Sequence, residues 1–372
     1  MIHQLNKEQF ERARPIFKDI DHNLTVSAVI AGTTAGEIYV DDAMAPTAAI
    51  TWVKHRIYLA GAPGNAGFNA ALSKLFAEKI APPAMEAGRV EFVLYYAPEE
   101  WGEHVDEIFK DRFPIKDQRL YFTIKELKHD WRTNLPPDCT LRRVDRALLE
   151  QTHLKNLASL IKEIHSERHS LQDFFAHGFG FCLLRDDEIV SWCFSEYNTG
   201  QRCEVGIETQ PAYHRQGYGT LVASALVEHA LTSGITEVGW HCWVDNEASI
   251  ALAQKVGFEK ALEYAVYFAW FDDADNFLVH GGFYLNRLHA FREAAEWYEK
   301  AFRLKAGSAR AHYDAARAWA LCKAHEPAVK NLKRAVAAGW TDIARLREDA
   351  DFSSLHGTQG WAELMESLDS LR

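Results

Sequence analysis

The chain has 372 residues, enough for two or three domains at roughly 150 residues per domain. Apolar residues make up 48% and charged residues 25%, which is typical of a soluble globular protein. The formal net charge of -11, without a basic run, argues against a nucleic-acid surface or a polybasic membrane patch. No apolar stretch reaches the ~18 residues of a membrane span, and the charged amino terminus predicts no signal peptide.

Residues 1–135 form the first predicted domain. A helical pattern opens it, and a turn containing Pro46 joins its first two strands. A proline-rich segment, Asn134–Asp138, is the predicted linker to the next domain. The other predicted elements are the strands Glu37–Asp41, Ala48–Val53, Ile57–Gly61 and Val90–Tyr96 and a helix over Phe68–Ile80.

Residues 139–272 form the second predicted domain, which begins with a strand and two helical segments. Three strands, a helix, a strand, a helix and a last strand follow, and this is an α+β order. The predicted elements are the strands Gly180–Arg185, Ile189–Tyr197, Arg202–Thr209, Glu237–Cys242 and Tyr264–Phe271 and the helices Leu221–Thr232 and Ala248–Val256.

Residues 276–372 form the third predicted domain, which is nearly all helical by periodicity and rich in alanine. Five positions recur 34 residues later with the same alternation of small and large side chains. Small residues allow helices to cross closely and large ones fill the gaps, as stacked helix pairs require. The recurring pairs are Gly282 and Ala316, Leu285 and Trp319, Ala294 and Ala328, Tyr298 and Leu332, and Ala301 and Ala335.

The cysteines stand apart from one another and form no C-x-x-C pair. Scattered single cysteines are typical of reduced, mostly buried thiols, so we expect a cytoplasmic protein. They are Cys139, Cys182, Cys193, Cys203, Cys242 and Cys322.

A glycine-rich loop, His214–Gly219, follows a predicted strand and opens a predicted helix. Gly217 and Gly219 allow backbone N–H groups to approach a phosphate, and the helix adds its unpaired N–H groups and positive dipole end. Loops of this kind also occur as ordinary strand-to-helix turns. Downstream, Asn246 is a predicted helix cap and Gly257 a predicted helix stop.

This pairing of motifs resembles the GNAT superfamily of acetyltransferases, over about residues 139–272. In that family the loop reads Arg/Gln-x-x-Gly-x-Gly/Ala, and the second motif is an Asn, a helix and Gly-Phe. The chain departs from the pattern at the first loop position, which is His214. A narrower resemblance is to the subgroup that includes the zwittermicin-resistance acetyltransferase, and it rests on Trp240–Trp243, Asn246, Ser249, Leu252–Ala253, Lys255–Phe258 and Tyr264.

The resemblance implies the GNAT fold, a mixed and mainly antiparallel sheet flanked by helices, with acetyl-CoA as co-substrate and no metal. It also implies a bulge before the loop, whose amides hold the thioester and the pantetheine arm. The cap residue is expected to bond the pantetheine amide as well. The implied cofactor-binding positions are Ile207, Glu208, Thr209, His214, Arg215, Gln216, Gly217, Tyr218, Gly219, Thr220, Asn246 and Ser249.

Acetyl transfer to an amine needs a base for the amine and a donor for the oxyanion. The family often has a glutamate base on the strand before the loop, and Glu204 is its nearest match by spacing. Glu208 is the second choice and Glu196, on the neighbouring strand, the third. Each of these has the alternative interpretation of a solvent-facing strand carboxylate.

The departing thiolate of coenzyme A benefits from an acid. Many members of the family use a tyrosine whose position here is Ala253, so the usual acid is missing. Tyr264, Tyr267 or Ser249 is a possible substitute, or the thiolate leaves unaided. Both tyrosines have the alternative interpretation of strand packing.

His165 and His169 stand at i and i+4 of a predicted helix, a spacing that suits a metal or the wall of an acceptor pocket. They lack the HExxH pattern and a nearby cysteine, which favours the second interpretation. Cys242 lies in an apolar strand and is interpreted as a core residue, not as a nucleophile.

The flanking domains carry their own hypotheses. The first is compatible with a degenerate GNAT-like copy in which Pro63 removes a donor from the loop position, so we expect it to bind no cofactor. In that case the first domain either forms one wall of the acceptor site or packs as one half of a pseudo-dimer. The third resembles tetratricopeptide repeats, which commonly bind peptides, although a structural or dimerising role fits equally well.

The sequence therefore predicts an acetyl-CoA-dependent N-acetyltransferase acting on a small-molecule amine. Two alternatives remain open: a scaffold whose repeats recruit a partner and whose acyltransferase domain is vestigial, and a protein acetyltransferase. We expect a possible protein or peptide partner at the repeats, a possible homodimer, and neither nucleic acid nor a membrane as partner. The acidic charge favours a cationic acceptor.

Overall fold

The computed structural model describes residues 1–110 and 112–369 and divides the chain into two compact units. The first unit comprises Met1–Pro83, Val93–Ile108 and Lys116–Tyr267, and the second Ala84–Phe92, Phe109–Ile115 and Phe268–Arg372. Residue 111 of the predicted first domain and residues 370–372 of the predicted third domain lie outside the described residues. The three-domain division itself stays a prediction.

The described strands form one sheet in the order β1-β2-β3-β4-β5-β12-β6-β11-β10-β9-β8-β7. Strands β4 and β5 are parallel, as are β10 and β11, whereas β1–β4 and β7–β10 are antiparallel neighbours. The bounds are β1 His3–Gln4, β2 Glu37–Val40, β3 Ala48–Val53, β4 Arg56–Gly61, β5 Glu91–Ala97, β6 Ile115–Ile124, β7 Cys139–Arg143, β8 Gly180–Arg185, β9 Glu188–Thr199, β10 Arg202–Thr209, β11 Glu237–Trp243 and β12 Glu259–Trp270.

The two ends of this sheet repeat one strand order. In each, three antiparallel strands are followed by a helix and then by a strand parallel to the third. The later strands cross over, because β12 lies beside β5 and β6 lies beside β11. The chain thus forms a mixed α/β fold of the GNAT type, and the middle of the sheet combines strands from both halves of the sequence.

The first nine α-helices occur between the strands along the chain, and the later ones follow β12 as a continuous helical series. The helices are α1 Leu24–Ile30, α2 Ala66–Leu75, α3 Ala81–Glu86, α4 Val105–Ile108, α5 Arg146–Leu149, α6 Leu157–Glu167, α7 Leu171–His177, α8 Tyr218–Thr232, α9 Glu247–Val256, α10 Asp273–Asn286, α11 Phe291–Leu304, α12 Ala309–Leu321, α13 His325–Ala337, α14 Ile343–Glu348 and α15 Gln359–Asp369. No helix within the described ranges has the length and apolar character needed to cross a membrane.

Helix α8 is the centre of the core in the first unit. It is apolar on nearly all sides and packs with buried residues of β6, β8, β10 and β11, as a fully buried helix does. Its first turn also lies close to α9, because a Cβ added at Gly219 would be 2.7 Å from Leu252 Cδ1. Glycine at position 219 therefore allows α8 and α9 to pack closely against each other.

The second unit contains the helix pairs predicted from the 34-residue recurrence. Ala294, Ala301, Ala328 and Ala335 are buried where the helices meet. The tight crossing of α10 and α11 is at Gly281, where an added Cβ would be 2.8 Å from the Tyr298 ring. The recurrence predicts Gly282 for this role, and this is wrong by one residue, since an added Cβ there would be 3.8 Å from the Tyr298 hydroxyl.

Other predictions also need correction. Strand β6 is not among the predicted strands, and β12 begins at Glu259, five residues before the predicted start at Tyr264. The predicted helix over His165 and His169 ends at Glu167, because Arg168 is extended with φ -106° and ψ 153°. The two histidines therefore do not share a helix face.

Candidate active site

The site is built where β10 and β11 separate. Their parallel pairing is described from Arg202 and Glu237 to Val205 and Trp240, whereas β10 continues to Thr209 along β9. A register shift between Glu204 and Val205 marks a bulge at the point of separation. The end of β10 therefore turns one backbone edge toward a gap, where an amide-bearing ligand can bond to it as an added strand would.

A cavity of about 230 Å³ occupies this gap and takes its lining from both halves of the sequence. Its volume is below the roughly 300–1,000 Å³ of common ligand pockets. The lining residues are Asn23, Thr25, Arg56, Tyr58, Tyr95, Arg119, Glu196, Glu204, Val205, Gly206, Ile207, Trp240, His241, Cys242, Trp243, Asn246 and Ser249.

Glu196 is a carboxyl group that lies beside Gly206, the residue after the last described pair of β10 and β11. Its Oε1 would be 2.0 Å from a Cβ added at Gly206, so a larger residue there would displace the carboxyl from this position. Its side chain is 19% exposed and lies 3.6 Å from Arg56 Nη1. Burial, followed by the charge of Glu167, raises the pKa of Glu196 to about 8, although Arg56 opposes the shift.

Glu204, the first choice for the base, is 5% exposed and engaged on two sides. It accepts the backbone N–H of Leu24, the first residue of α1, and lies 3.3 Å from His241 Nε2. The carboxylate therefore takes the place of a helix cap, because the side chain of Asn23 makes no capping bond.

His241 connects Glu204 to Tyr264. Its Nδ1 lies 2.8 Å from the Tyr264 hydroxyl, so a ring with the proton on Nε2 donates to Glu204 and accepts from the tyrosine. Burial raises the pKa of Tyr264 well above its ordinary value. Tyr264 does not line the cavity, and His241 does, so the tyrosine reaches the cavity through the imidazole.

Two arginines line the cavity from the first half of the sequence. Arg56 makes hydrogen bonds of 2.5 and 3.2 Å to the two carboxylate oxygens of Glu167. Arg119 stacks over Trp243, with its guanidinium carbon 4.8 Å from the ring centroid. Neither arginine carries a sequence signal, because each stands alone in a strand-like or unassigned segment without a motif.

The predicted phosphate loop has backbone geometry suited to an anion. Arg215 and Gly217 have positive φ angles of 61° and 85°, and Gly217 is the residue before α8. The His214 ring bonds the Thr209 carbonyl at 2.7 Å, and Gln216 Nε2 donates to Ala212 O at 3.2 Å. The side chains of His214 and Gln216 thus hold the loop, and the backbone N–H groups are left to face a phosphate.

The first residues of α8 contribute in the same way. Tyr218, Gly219 and Thr220 are buried, so they offer backbone N–H groups at the helix start and no exposed side chain. Arg215, in contrast, is exposed and is the one guanidinium in the loop. The loop therefore combines a helix dipole end with one exposed positive charge.

Asn246 and Ser249 lie together at the rim of the cavity. Asn246 Oδ1 accepts the Ser249 N–H at 3.0 Å and caps α9, as the sequence predicts. Ser249 Oγ accepts the indole N–H of Trp240 at 2.9 Å. Each side chain therefore already has a structural partner in addition to its place beside the cavity.

The remaining predicted residues are dispersed. Ile207 lines the cavity, whereas Glu208 is exposed, pairs with Trp192 of β9 and accepts the Ser191 hydroxyl at its backbone carbonyl at 3.0 Å. Thr209 Oγ1 lies 2.8 Å from the same serine hydroxyl. His165 and His169 do not line the cavity, and the described residues contain no group of three or more His, Cys, Asp or Glu arranged to hold a metal.

Cys242 lines the cavity but has the character of a core thiol. Burial raises its pKa, which disfavours the nucleophilic thiolate. Tyr58 and Tyr95 complete the apolar part of the wall and stack on each other with centroids 4.8 Å apart. Both tyrosines lie in the predicted strands Ile57–Gly61 and Val90–Tyr96. Nothing in the pattern of those strands distinguishes a tyrosine of the cavity from one of the core.

Comparison with known proteins places this geometry in context. The family model described as GNAT acetyltransferase matches residues 14–267. The Bacillus subtilis (strain 168) protein named uncharacterized N-acetyltransferase YdfB is 26% identical over 270 residues, which are 72% of this chain and 99% of that protein. Uncharacterized N-acetyltransferase YoaA of the same strain is 36% identical over 61 residues, 16% of this chain and 34% of that protein.

A solved structure shares the fold. The GCN5-related N-acetyltransferase-like protein from Streptococcus suis 89/1591 aligns with a TM-score of 0.54 and 22% identity, covering 71% of this chain and 98% of that one. The residues matched by the family model include both halves of the sheet and therefore the whole cavity.

Proposed function

Because the chain belongs to the GNAT acetyltransferase family, we propose that it transfers the acetyl group of acetyl-CoA to a primary amine of a small molecule. The observation that carries the proposal is the cavity of about 230 Å³ between β10 and β11, with the Glu196 carboxyl beside Gly206. An amine in this cavity is next to the backbone edge that suits the acyl arm, so direct attack in a ternary complex is the simplest route.

The residues that would hold acetyl-CoA extend from the loop, at the pyrophosphate, to the cavity, at the acetyl group. The N–H groups at Arg215–Thr220 suit the pyrophosphate, and the open edge of β10 at Gly206–Thr209 suits the pantetheine amides. Asn246 stands at the rim. When bound, acetyl-CoA supplies an activated acetyl group, and backbone N–H groups beside the bulge are the proposed oxyanion donors.

Glu196 is the proposed general base. A protonated amine must lose its proton before attack, and a base whose pKa lies near the working pH does this most effectively. The pKa of Glu196, raised to about 8, meets that condition. Glu204 already accepts the Leu24 N–H and bonds His241, so its proposed role is to position the imidazole.

His241 is the proposed route by which a proton reaches the departing thiolate. It lines the cavity, so its Nε2 proton can pass to the thiolate while Nδ1 takes the proton of the Tyr264 hydroxyl, and the tyrosine regains a proton from solvent after coenzyme A leaves. Tyr264→Phe should lower kcat by about tenfold, with little change in the affinity for acetyl-CoA. Tyr267→Phe on the same strand, at a tyrosine outside the cavity lining, is the matched control, and equal loss in both variants would contradict the relay.

The test of the proposed function has a binding arm and a turnover arm. Calorimetry should show acetyl-CoA binding to the full chain, and a screen of amines, amino acids and aminoglycoside-like compounds should show release of coenzyme A. Glu196→Gln should lower kcat by about 10²–10⁴-fold with acetyl-CoA affinity retained. Glu150→Gln, at an exposed glutamate outside the cavity lining, should change neither quantity. If the wild type does not bind acetyl-CoA, the proposal fails.

The helical unit supports a second, separate proposal of a tetratricopeptide-like repeat with a peptide partner. A groove of about 670 Å³ on α13 and the start of α15 is lined by Val329 and by three basic side chains, Lys330, Lys333 and Arg334, against one acidic side chain, Glu326. This charge favours an acidic peptide. If Lys330→Glu combined with Lys333→Glu leaves the set of proteins captured by the full chain unchanged, peptide recognition at this groove is excluded.

A further inference from the structure

Arg119 is the feature of the cavity that the proposed chemistry does not use. It lies on β6 directly opposite Trp243 of β11, and its guanidinium carbon is 4.8 Å from the Trp243 ring centroid and 5.9 Å from that of Tyr95. Its Nε is buried and has no hydrogen-bond partner among the described residues. The groups that act on it most strongly, after burial, are Tyr95, Tyr264 and Arg56, and the Tyr264 hydroxyl also accepts a hydrogen bond from it. None of these groups is a carboxylate.

The other arginine of the cavity shows what Arg119 lacks. Arg56 has a bidentate partner in Glu167 and a second carboxyl, Glu196, at 3.6 Å. No carboxylate within residues 1–110 and 112–369 forms an ion pair of this kind with Arg119. A guanidinium removed from water without an anion is unfavourable, and aromatic stacking covers only its faces. The neutral Tyr264 hydroxyl is one acceptor, but among the described residues the buried Nε–H still has none and no anion balances the charge.

A carboxylate is the acceptor group that fits this edge. The planar guanidinium matches the two oxygens of a carboxylate, and the rings of Trp243 and Tyr95 hold it in one orientation. The phosphate-binding loop at His214–Gly219 does not line the cavity, so the phosphates of the cofactor are not the anion at this point. An acceptor that carries a carboxylate would supply this anion.

We propose that the acceptor is a small amino acid-like zwitterion, whose carboxylate binds Arg119 while its amine faces Glu196. This inference rests on the proposed acetyl transfer and adds the class of substrate. Arg119 is on β6 and Glu196 is on β9, and the strands β11 and β10 lie between these two in the sheet. The guanidinium and the Glu196 carboxyl therefore lie on opposite sides of the gap between β10 and β11. The cavity of about 230 Å³ limits the acceptor to a small molecule.

The first experiment uses the wild-type protein and matched acceptors. Leucine is compared with leucinamide, β-alanine with β-alaninamide, and 4-aminobutyrate with its amide, by coenzyme A release at fixed acetyl-CoA. Each pair keeps the amine and removes the negative charge. The proposal expects kcat/KM to be about 100-fold higher for at least one acid than for its amide, as loss of a buried ionic partner implies.

The second experiment compares the same acids and amides on variants of Arg119. Arg119→Met should remove the preference by lowering kcat/KM for the acid about 100-fold, mainly through KM, and that for the amide by less than about threefold. Arg119→Lys should restore part of it. Arg132→Met, at an exposed arginine paired with Glu228, is the matched control and should keep the preference. Thermal melting and acetyl-CoA calorimetry report whether each variant is folded.

The outcomes separate the two proposals. Equal kcat/KM for acids and amides overturns the zwitterion and leaves acetyl transfer standing. Acetyl-CoA binding without transfer to any of the acids also overturns the zwitterion. Failure to bind acetyl-CoA overturns the proposed function. If Arg119→Met does not fold, the comparison of acceptors on the wild type decides alone.

Discussion

The Oε1 atom of Glu196 lies where the first side-chain atom of residue 206 would be, 2.0 Å from a Cβ added at Gly206. A non-bonded carbon and oxygen do not approach this closely, so a side chain at position 206 and the carboxyl in its present place exclude each other across β9 and β10. Gly206 lies one residue beyond the last described pair of β10 and β11, Val205 and Trp240. Strand separation, glycine and buried acid thus coincide at one position.

The first prediction concerns these two residues. Gly206→Ala should displace the Glu196 carboxyl and lower kcat about as much as Glu196→Gln does, with a loss of about 1–3 kcal/mol in the free energy of unfolding. Gly64→Ala is the matched control, since an added Cβ there meets nothing within 4 Å. Steady-state kinetics and urea unfolding measure both quantities. Normal turnover by both Gly206→Ala and Glu196→Gln would show that Glu196 is not the base.

The second prediction concerns pH. Glu196 must be ionised to accept a proton, and its pKa is raised to about 8 in the folded protein. The kcat/KM for the amine should therefore rise with pH and level off above about 8. Glu196→Gln should abolish this rise as well as lowering the rate. A profile that levels off near pH 5 would point to a different base.

The same shift has a consequence for stability. The folded state favours the protonated form of Glu196, because its pKa is raised from 4.5 to about 8. Between those values the folded state binds more protons than the unfolded state, so the free energy of unfolding falls as pH rises. Glu196→Gln should flatten this fall between about pH 4.5 and 8. Chemical denaturation at several pH values tests the sign.

The third prediction concerns the loop. Gly217 and Gly234 both have positive φ, 85° and 92°, both have open space around the missing Cβ, and they lie at opposite ends of α8. Glutamate at either position should cost about 1–2 kcal/mol of stability. Only Gly217→Glu places a negative charge at the proposed pyrophosphate site, so it should weaken acetyl-CoA binding at least about tenfold. Calorimetry on both variants provides the comparison, and equal affinities would exclude the loop.

The strands with clear apolar runs could be predicted from the sequence. The bounds of Ala48–Val53, Gly180–Arg185 and Arg202–Thr209 agree with the structure. Periodicity also places α8, although the helix begins at Tyr218, three residues before the predicted start, because Gly217 in the left-handed region turns the chain into it. Local pattern is sufficient where a strand or helix is apolar and its ends carry turn residues.

Strand β6 shows why the rest could not be predicted. Its segment from Ile115 to Ile124 includes Lys116, Asp117, Gln118 and Arg119 and has no strand-like apolar pattern over those residues. It nevertheless lies between β12 and β11 in the middle of the sheet. The polar residue that interrupts the pattern, Arg119, is one that lines the cavity. An apolar pattern therefore does not predict a strand whose side chains line a polar cavity and do not pack in the hydrophobic core.

The contacts between residues across the cavity could not be predicted from the sequence either. Glu196 and Arg56 are 140 positions apart in the sequence and meet at 3.6 Å because the crossed strands bring the two halves of the sheet together. A strand carboxylate has no sequence signal that distinguishes it from a solvated one. Spacing to the loop therefore favours Glu204, and only the three-dimensional surroundings raise Glu196 above it.

The fourth prediction compares two adjacent glycines of α10. An added Cβ at Gly281 would be 2.8 Å from three atoms of the Tyr298 ring, whereas at Gly282 the nearest contact is the Tyr298 hydroxyl at 3.8 Å. Gly281→Ala should therefore force α10 and α11 apart and destabilise the helical unit by about 1–3 kcal/mol.

Gly282→Ala should do the opposite. Its Cβ fits, and replacing glycine inside a helix gains about 0.4–1 kcal/mol by restricting the unfolded chain. Thermal unfolding followed by circular dichroism measures both variants, and acetyl-CoA affinity serves as a check that the first unit is unchanged. If the two substitutions shift the melting temperature by the same amount in the same direction, the close crossing at Gly281 and Tyr298 is not what holds this pair of helices.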